Sequence, residues 1–282
     1  NVILYVHYAP AAEPAPLYAA PTILYDISDD LTAFAEVEGE GIPDVVLAHH
    51  RRLVARADVV SAAGPGLADT YRQERPDIVY APNGVDRARF ATPQARPADM
   101  PPSSIEHPIA GYHGALAEWR FDFDLFADTV AKLPDWRFVL VGPVDRRVAD
   151  QAARLERLPN VTLIGERSAD EIGAYVQAFD VGAMWYPLNN VTAKALPMKL
   201  NEFLAAGVPS VSTPLPACIG VPGVWIASTP NEYSRALHEA LEAGRSPQFA
   251  ASIDDQVTRA EWSNSLQPIF DALEARDLLR GR

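Results

Sequence analysis

Cysteine and positive charge are both scarce in this sequence, and each shortage excludes a class of protein. Cys218 is the only cysteine among 282 residues, so a disulfide framework is excluded and a reducing cytoplasm is the expected setting. The net charge of −13 argues against a nucleic-acid-binding protein. It also argues against a polybasic membrane surface, although a local basic patch and weak contact at the inner face of a membrane stay open. No apolar run approaches the ~20 residues of a membrane span.

Metal-ligand patterns are missing as well. His49 and His50 are adjacent in "LAHHRRLVARA", so they cannot share one helical face. The sequence has neither a histidine pair at i, i+4 nor a CxxC motif. We therefore expect no zinc site.

Short apolar runs alternate with helical patterns along the chain. Runs such as "PTILYD", "PIAGYHG" and "WRFVLVG" are continuously apolar, which is typical of parallel strands covered on both faces. Stretches between them, such as "FDLFADTVAKLP", have helical spacing. The pattern predicts an α/β protein with two doubly wound, Rossmann-like domains.

A Pro-rich segment, "ATPQARPADMPPSSIEHP" at 91–108, marks a linker between the two domains. We expect a first domain over 1–106 including this linker, a second over 107–260, and a C-terminal helix over 261–282 that packs back towards the first domain. The first domain is short and lacks the opening strand, glycine-rich turn and helix of such folds. We expect it to be an incomplete, N-terminally shortened domain.

Unusual residues follow successive strands of the second domain. The segments are "GYHG" at 111–114, "GPVD" at 142–145, "GER" at 165–167 and "YPLNN" at 186–190. Because ligands bind at the carboxyl ends of the strands in a doubly wound sheet, these segments are expected to line one cleft.

The helix predicted after Pro197 carries a lysine at its unfavourable end. Gly207 and Pro209 end that helix, so Lys199 falls in the first turn, where the helix dipole is positive. An anion bound to the free N–H groups of this turn would explain the lysine. Glu202 lies one turn on and could accept two hydroxyl groups, as a ribose diol offers; phosphate and diol together imply a nucleotide. The alternative is a surface Lys–Glu pair.

The same segment, "PMKLNEFLAAGVPSVST", resembles the nucleotide-sugar segment of GT-B glycosyltransferases, especially those of the family 4 type. "APNGVDRARF" resembles the end of their N-terminal domain, and "IAGYHGALAEWRFDFDLF" resembles the start of their C-terminal domain. "YDISDDLTAF" resembles the acceptor-side loop of bacterial enzymes that build exopolysaccharides or lipid-linked glycans. The resemblance runs from about Tyr25 to Trp262.

The resemblance implies a role for each matching residue of the second domain. Lys199 would bind the diphosphate, Glu202 the ribose, and Gly114 would let backbone approach the phosphates. The remaining donor-side candidates are Glu166 near the base, Tyr186 and Met198 lining the pocket, and His113 near the sugar phosphate. Glu166 is alternatively an exposed loop acid, Tyr186 a core residue, and His113 a loop histidine satisfied by backbone.

One position departs from the family pattern. Many retaining members carry two glutamates eight residues apart, the first of which contacts the sugar. Here Glu202 is the second, and Lys194 stands in the first position. This puts the sugar and the retaining stereochemistry in doubt, and Lys194 is either a contact for an acidic sugar or a solvated lysine.

Three acids, Asp26, Asp29 and Asp30, lie together in "YDISDD" after a predicted strand. They could bind a metal, supply a general base, or cap the next helix. The resemblance argues against metal, because GT-B enzymes stabilise the leaving diphosphate with a helix dipole and basic side chains. It implies that Asp29 is the catalytic base, with Asp30 as second candidate.

The sequence thus predicts a GT-B glycosyltransferase that moves a sugar from a nucleoside diphosphate sugar to a hydroxyl of a glycan or lipid-linked glycan, in bacterial envelope or exopolysaccharide synthesis. No cofactor besides the donor substrate is expected. A nucleotide-sugar 2-epimerase of the same fold, and a catalytically degenerate nucleotide-sugar-binding module, are the alternatives.

Overall fold

The computed structural model describes residues 2–7, 9, 22–38 and 42–279. Within them the strands are β1 (Ile3–Val6), β2 (Thr22–Ile27), β3 (Val59–Ala62), β4 (Val79–Tyr80), β5 (Ile109–His113), β6 (Arg137–Val141), β7 (Val161–Gly165), β8 (Val181–Met184), β9 (Ser210–Ser212) and β10 (Val224–Ile226). The helices are α1 (Leu31–Glu38), α2 (Asp44–Arg56), α3 (Pro65–Tyr71), α4 (Arg87–Ala91), α5 (Phe123–Lys132), α6 (Ala149–Leu155), α7 (Ala169–Gln177), α8 (Met198–Ala205), α9 (Pro230–Gly244), α10 (Phe249–Arg259), α11 (Trp262–Ser265) and α12 (Gln267–Ala275). Every helix among these residues is too short or too polar to span a lipid bilayer.

The chain forms two compact units. The first contains the described parts of residues 1–84, 189–196 and 262–282, and the second contains residues 85–188 and 197–261. The predicted boundary near residue 106 differs from this division, because side chains of α7 hold the segment after α4. Tyr175 donates to Asp99 at 2.8 Å, and Gln177 donates to the carbonyl of Thr92 at 2.7 Å. The C-terminal segment, from α11 onward, groups with the first unit, where α12 packs on β3 and β4.

The first unit is built on a parallel sheet of order β1-β2-β3-β4. All four residues of β3 are buried, as its continuously apolar sequence predicts. Leu53 of α2 and Leu67 of α3 belong to the core on this sheet. Asp26, predicted to follow the strand, lies within β2 itself, and Asp29 and Asp30 lie in the loop that leaves this interior strand.

The second unit has six parallel strands in the order β10-β9-β8-β5-β6-β7. Counted within the unit, this is the doubly wound order 3-2-1-4-5-6, whose direction reverses between β5 and β8. The aromatic core contains Phe126, Phe138 and Trp185, each at most 1% exposed. The predicted α/β class with parallel sheets is confirmed, and the reversal places the ends of β5 and β8 side by side.

Each predicted apolar run within the described residues contains a strand, whereas several short helices were not predicted. α1, α3 and α4 are such helices, and α10, which has 11 residues, was not predicted either. Local capping starts α1 and α4: Asp30 accepts from the amide of Ala33, and Asp86 accepts from the amide of Arg89. A helix of five to eight residues has too few apolar repeats to be recognised by periodicity.

His50 on α2 is buried between two tyrosines of the first unit. Its Nδ1 lies 2.7 Å from the hydroxyl of Tyr25, and its Nε2 lies 2.8 Å from the hydroxyl of Tyr71. Burial lowers the pKa of His50, with a small opposing effect from Asp30. The imidazole is therefore kept neutral and serves as a core hydrogen-bonding group.

The buried His50 should make the protein less stable in acid. Its folded pKa lies below that of the unfolded chain, so the unfolded state binds the proton first and the free energy of unfolding falls once the pH drops below about 6.5. The loss should approach about 1.4 kcal/mol per pH unit until the folded pKa is reached. His50→Gln should flatten this decline in melts between pH 7.5 and about 5. His107→Gln, at an exposed histidine, is the control, and an equal decline in wild type and His50→Gln would contradict the assignment.

Candidate functional site

The carboxyl edge of the second sheet is lined by bare backbone at three neighbouring strand ends. The N–H of Gly114 donates to the carbonyl of Val141 at 2.8 Å, and the N–H of Gly142 donates to the carbonyl of Gly165 at 2.9 Å. Gly114 has φ +124° and Gly142 has φ +148°, which residues with a side chain rarely adopt. A Cβ on Gly142 would overlap the carbonyl of Gly114. The edge therefore offers a surface that a ligand can approach closely.

Helix α8 begins next to this edge. Pro197 precedes the helix with φ −63° and ψ 120°, so it is the N-cap residue rather than the first helical residue. Gly207 ends the helix with φ +73°. The predicted stripe of Leu200, Phe203 and Leu204 is buried. Packing of this stripe fixes the rotation of the helix and with it the direction of the first-turn side chains.

Lys199, the second residue of α8, is buried against two tyrosines. Only 6% of the residue is exposed. Its Nζ donates to the hydroxyl of Tyr186 at 2.8 Å and lies 3.4 Å from the hydroxyl of Tyr112. The same atom lies 4.4 Å from the ring centre of Tyr112 and 4.8 Å from that of Tyr186. The alternative of a surface Lys–Glu pair is wrong, since among the described residues no carboxylate lies within ion-pair distance of Lys199.

The surroundings of Lys199 disfavour its charge. Burial lowers the pKa of the amine well below its usual value, and the nearby guanidinium of Arg120 lowers it further. The carboxylate of Glu202 opposes both effects without overcoming them. An anion brought to this turn would restore the charged form, so the electrostatics of the site favour an anionic ligand.

His113 and Glu202 form a second pair beside Lys199. Nε2 of His113, the last residue of β5, lies 3.1 Å from Oε2 of Glu202, and both side chains are largely buried. Burial lowers the pKa of His113, and Glu202 opposes the shift. The ring of His113 also meets the edge of Phe203 at 5.2 Å. His113 therefore faces a carboxylate on α8, which neither of the sequence alternatives anticipated.

The predicted donor-side residues other than His113 and Glu202 fall into two groups. Three of them lie together around Lys199, and the other two, Met198 and Glu166, are exposed. Gly114, Tyr186 and Lys199 meet directly, since a Cβ on Gly114 would lie 3.0 Å from Nζ of Lys199. Met198 is the first residue of α8 and is 46% exposed. Glu166 follows β7, and its side chain is exposed.

Two residues of this site were missed in the sequence. Tyr112 stands inside an apolar strand, where an aromatic residue is usually core. Arg120 lies between aromatic residues in "EWRFDF", a stretch for which no site role was predicted. Its guanidinium stacks 4.3 Å from the ring centre of Trp119, and its Nε is buried without a hydrogen-bond partner among the described residues. The signal that could have identified Arg120 is a cationic residue in the loop that follows "GYHG".

The acidic cluster of the first unit divides its tasks. Asp30 caps α1, because its Oδ1 accepts from the amides of Thr32 and Ala33, each at 3.1 Å. Asp26 accepts from the hydroxyl of Ser61 at 2.6 Å. Asp29, which lies between these two residues in the chain, is half-buried. Its role as catalytic base stays a prediction. Among the described residues, no group of three or more His, Cys, Asp or Glu side chains could hold a metal ion.

Comparison with known proteins finds a family match to part of this chain and solved structures that share its fold. Residues 107–243 match the sequence profile of the glycosyl transferases group 1 family. The glycosyltransferase TuaH of Bacillus subtilis (strain 168), named for teichuronic acid biosynthesis, is 28% identical over 209 residues, which are 71% of this chain and 52% of TuaH. This chain thus spans about half the length of that curated relative.

Two solved structures share the fold. HepE of Anabaena, solved in complex with UDP, has a TM-score of 0.66 and 17% identity, covering 90% of this chain and 72% of HepE. Sucrose-phosphate synthase of Thermosynechococcus elongatus has a TM-score of 0.64 and 17% identity, covering 90% of this chain and 68% of the synthase. The predicted GT-B fold is confirmed by these matches.

The burial of Lys199 should cost stability when the site is empty. Because its folded pKa lies below the unfolded value of about 10.4, the cost is present at neutral pH and vanishes as the pH rises above that value. Lys199→Met should therefore raise the free energy of unfolding at pH 7 by about 1 kcal/mol, since apolar replacement of a buried charge is often stabilising. Melts at pH 7 and about pH 10.5 test this. Lys132→Met, at an exposed lysine of the same unit, should change neither, and a destabilised Lys199→Met at pH 7 would count against the electrostatic account.

Proposed function

We propose that this chain, whose residues 107–243 form a glycosyl transferases group 1 domain on a GT-B fold, transfers a sugar from a nucleoside diphosphate sugar to a hydroxyl acceptor. In such a transfer, the bond between the anomeric carbon and the diphosphate breaks, and the acceptor oxygen bonds to that carbon. The proton of the acceptor hydroxyl passes to a base. The protein must therefore stabilise a leaving diphosphate and receive one proton.

The observation that carries the proposal is the buried amine of Lys199. It lies in the first turn of α8, with only neutral groups as hydrogen-bond partners among the described residues. The dipole of α8 attracts the same anion. A leaving diphosphate gains negative charge as the glycosidic bond breaks, so a preorganised cation favours the transition state more than the bound donor.

Neighbouring residues fit the rest of the donor. Gly114 leaves room for phosphate oxygens above the end of β5, since any side chain there would meet Lys199. Glu202 is the proposed acceptor for the ribose hydroxyls, and Nε2 of His113 lies 3.1 Å from its carboxylate. Tyr186 and Met198 are proposed to line the pocket, and Glu166 is proposed to lie near the base.

The donor and acceptor classes rest on similarity. The complex of HepE with UDP supports a uridine diphosphate donor here. The name of TuaH, which refers to teichuronic acid biosynthesis, supports a glycan acceptor. We assign the chain to bacterial envelope or exopolysaccharide synthesis on this basis.

Loss of Lys199 should weaken nucleoside diphosphate binding. Charge-assisted hydrogen bonds to phosphate contribute about 1.5–3 kcal/mol, so Lys199→Met should lower the affinity for UDP roughly ten- to a hundredfold. Turnover should fall further, because the charge on the leaving group develops in the transition state. Calorimetric titration with UDP and GDP, and mass spectrometry of products from a panel of UDP-, GDP- and ADP-sugars, measure both effects.

A second readout of the same titration separates the buried amine from an ordinary surface lysine. Near pH 8, about two units above the second pKa of a phosphate, the diphosphate of UDP is already ionised, so binding should take up protons as Lys199 regains its charge. Buffers of different ionisation enthalpy reveal this uptake. Lys132→Met is the matched control. Unchanged UDP affinity in Lys199→Met, or UDP released from UDP-sugars without a glycosylated product, would contradict the proposal.

Asp29 is the proposed base for the acceptor hydroxyl. Asp29→Asn should cut turnover by about 10²–10⁴, the usual contribution of a general base, and leave UDP affinity nearly unchanged. Single-turnover assays and UDP titration of the same sample distinguish the two effects. Turnover within a few-fold of wild type would place the base elsewhere.

A further inference from the structure

Lys194 ends on Asp30, inside the first unit. Its Nζ lies 2.5 Å from Oδ2 of Asp30, which is 4% exposed, whereas the lysine side chain is 32% exposed. Burial alone would raise the pKa of Asp30. The hydrogen bonds from Lys194, Ala33 and Thr32 outweigh burial, so the pKa lies below its usual value. Both oxygens of Asp30 are therefore engaged: Oδ1 by two amides of α1 and Oδ2 by Lys194.

The backbone around Lys194 is fixed on the same unit. A Cβ on Gly64 would overlap the carbonyl oxygen of Lys194, and a Cβ on Gly66 would lie 3.3 Å from its Cα. The side chain of Asn83 donates to the carbonyl of Leu196 at 3.2 Å. The segment 189–196 lies between β8 and α8 in the chain. It is held in place by its close contacts with Gly64 and Gly66 and by the hydrogen bond from Asn83 at its last residue.

The segment 189–196 also has internal hydrogen bonds. Oδ1 of Asn189 accepts from the amides of Val191 at 3.0 Å and Thr192 at 2.9 Å. The amide of Lys194 donates to the carbonyl of Val191 at 3.1 Å. Lys194 therefore reaches Asp30 from a preformed turn, and little side-chain entropy is lost beyond the lysine itself.

We infer that Asp30 and Lys194 are positioning residues: their ion pair holds the turn that presents Asp29, and neither residue contacts the donor sugar or accepts the proton. Both oxygens of Asp30 already accept hydrogen bonds, from two amides and from Lys194, and Asp29 is its immediate neighbour before the start of α1. Lys194 stands where the family pattern places a sugar-contacting glutamate, and a glutamate there would set two carboxylates against each other. The inference rests on the proposed function, since it assigns support for the proposed base.

The test compares Lys194→Gln, Lys194→Arg and Asp30→Asn with wild type. A slightly displaced catalytic group costs up to about 10²-fold, so kcat of Lys194→Gln should fall roughly tenfold. Donor KM and UDP affinity should stay within about twofold, because the pair makes no donor contact. Lys194→Arg should restore most of kcat. Asp30→Asn keeps an N-cap residue and should lose no more than about tenfold.

Amide exchange and a matched ion pair complete the test. Exchange at the amides of Thr32 and Ala33 should be faster in Lys194→Gln, since their acceptor is less firmly held. The matched control is Arg72→Gln, which breaks the ion pair between Arg72 and Asp69 in the same unit. The side chains of this pair are 56% and 70% exposed, so its loss should change neither amide exchange nor kcat.

Three results would overturn the inference. A changed donor KM or donor preference in Lys194→Gln would show that Lys194 meets the sugar. A loss above about 10²-fold in Asp30→Asn would make Asp30 the base. An unchanged kcat in Lys194→Gln would show that the pair is only structural. Failure of the proposed function is distinguished by the wild-type protein, which would then give no glycosylated product.

Discussion

The second unit is organised around one buried amine, whose hydrogen-bond partners in the described part of the chain are two tyrosine hydroxyls. Lys199 is placed in the first turn of α8 by the packing of Leu200, Phe203 and Leu204 behind it. A cation at that position is opposed by burial, by the helix dipole and by a neighbouring guanidinium. Two tyrosine rings and hydroxyls make it tolerable. These surroundings therefore favour a ligand that supplies negative charge.

The doubly wound order explains why the rest of the site lies beside this amine. The reversal between β5 and β8 leaves their carboxyl ends adjacent, so Gly114 and Tyr186 come from neighbouring strands. Glycines at the ends of β5, β6 and β7 keep side chains off the edge. The arrangement combines open backbone, a helix N-terminus and a cation, which together suit a diphosphate.

Two lysines five residues apart have opposite environments in this protein. Lys194 is paired with a buried carboxylate of the first unit, whereas the hydrogen-bond partners of Lys199 among the described residues of the second unit are neutral tyrosine hydroxyls. A paired lysine contributes to local structure, and an unpaired buried lysine contributes to binding. A chain with a net charge of −13 needs such a local cation if it is to bind a polyanion.

The sequence by itself determined the fold class, the strands and the helix that carries Lys199. Strands were recognised from continuous apolar runs, and the ends of α8 from Pro197 and Gly207. These signals depend on interactions between residues that are close in the sequence, so a short stretch of the chain is enough to detect them. The same holds for the resemblance to GT-B enzymes, which is carried by contiguous motifs.

Only the tertiary structure decided which residues meet. Tyr112 and Lys199 are far apart in the chain, and the pairing of Asp30 with Lys194 spans 164 residues. Asp30 could be read as base, metal ligand or cap, because each use needs only a carboxylate after a strand. The choice depends on which amides and cations lie within 3 Å or so of its oxygens, and long-range packing alone brings those groups together.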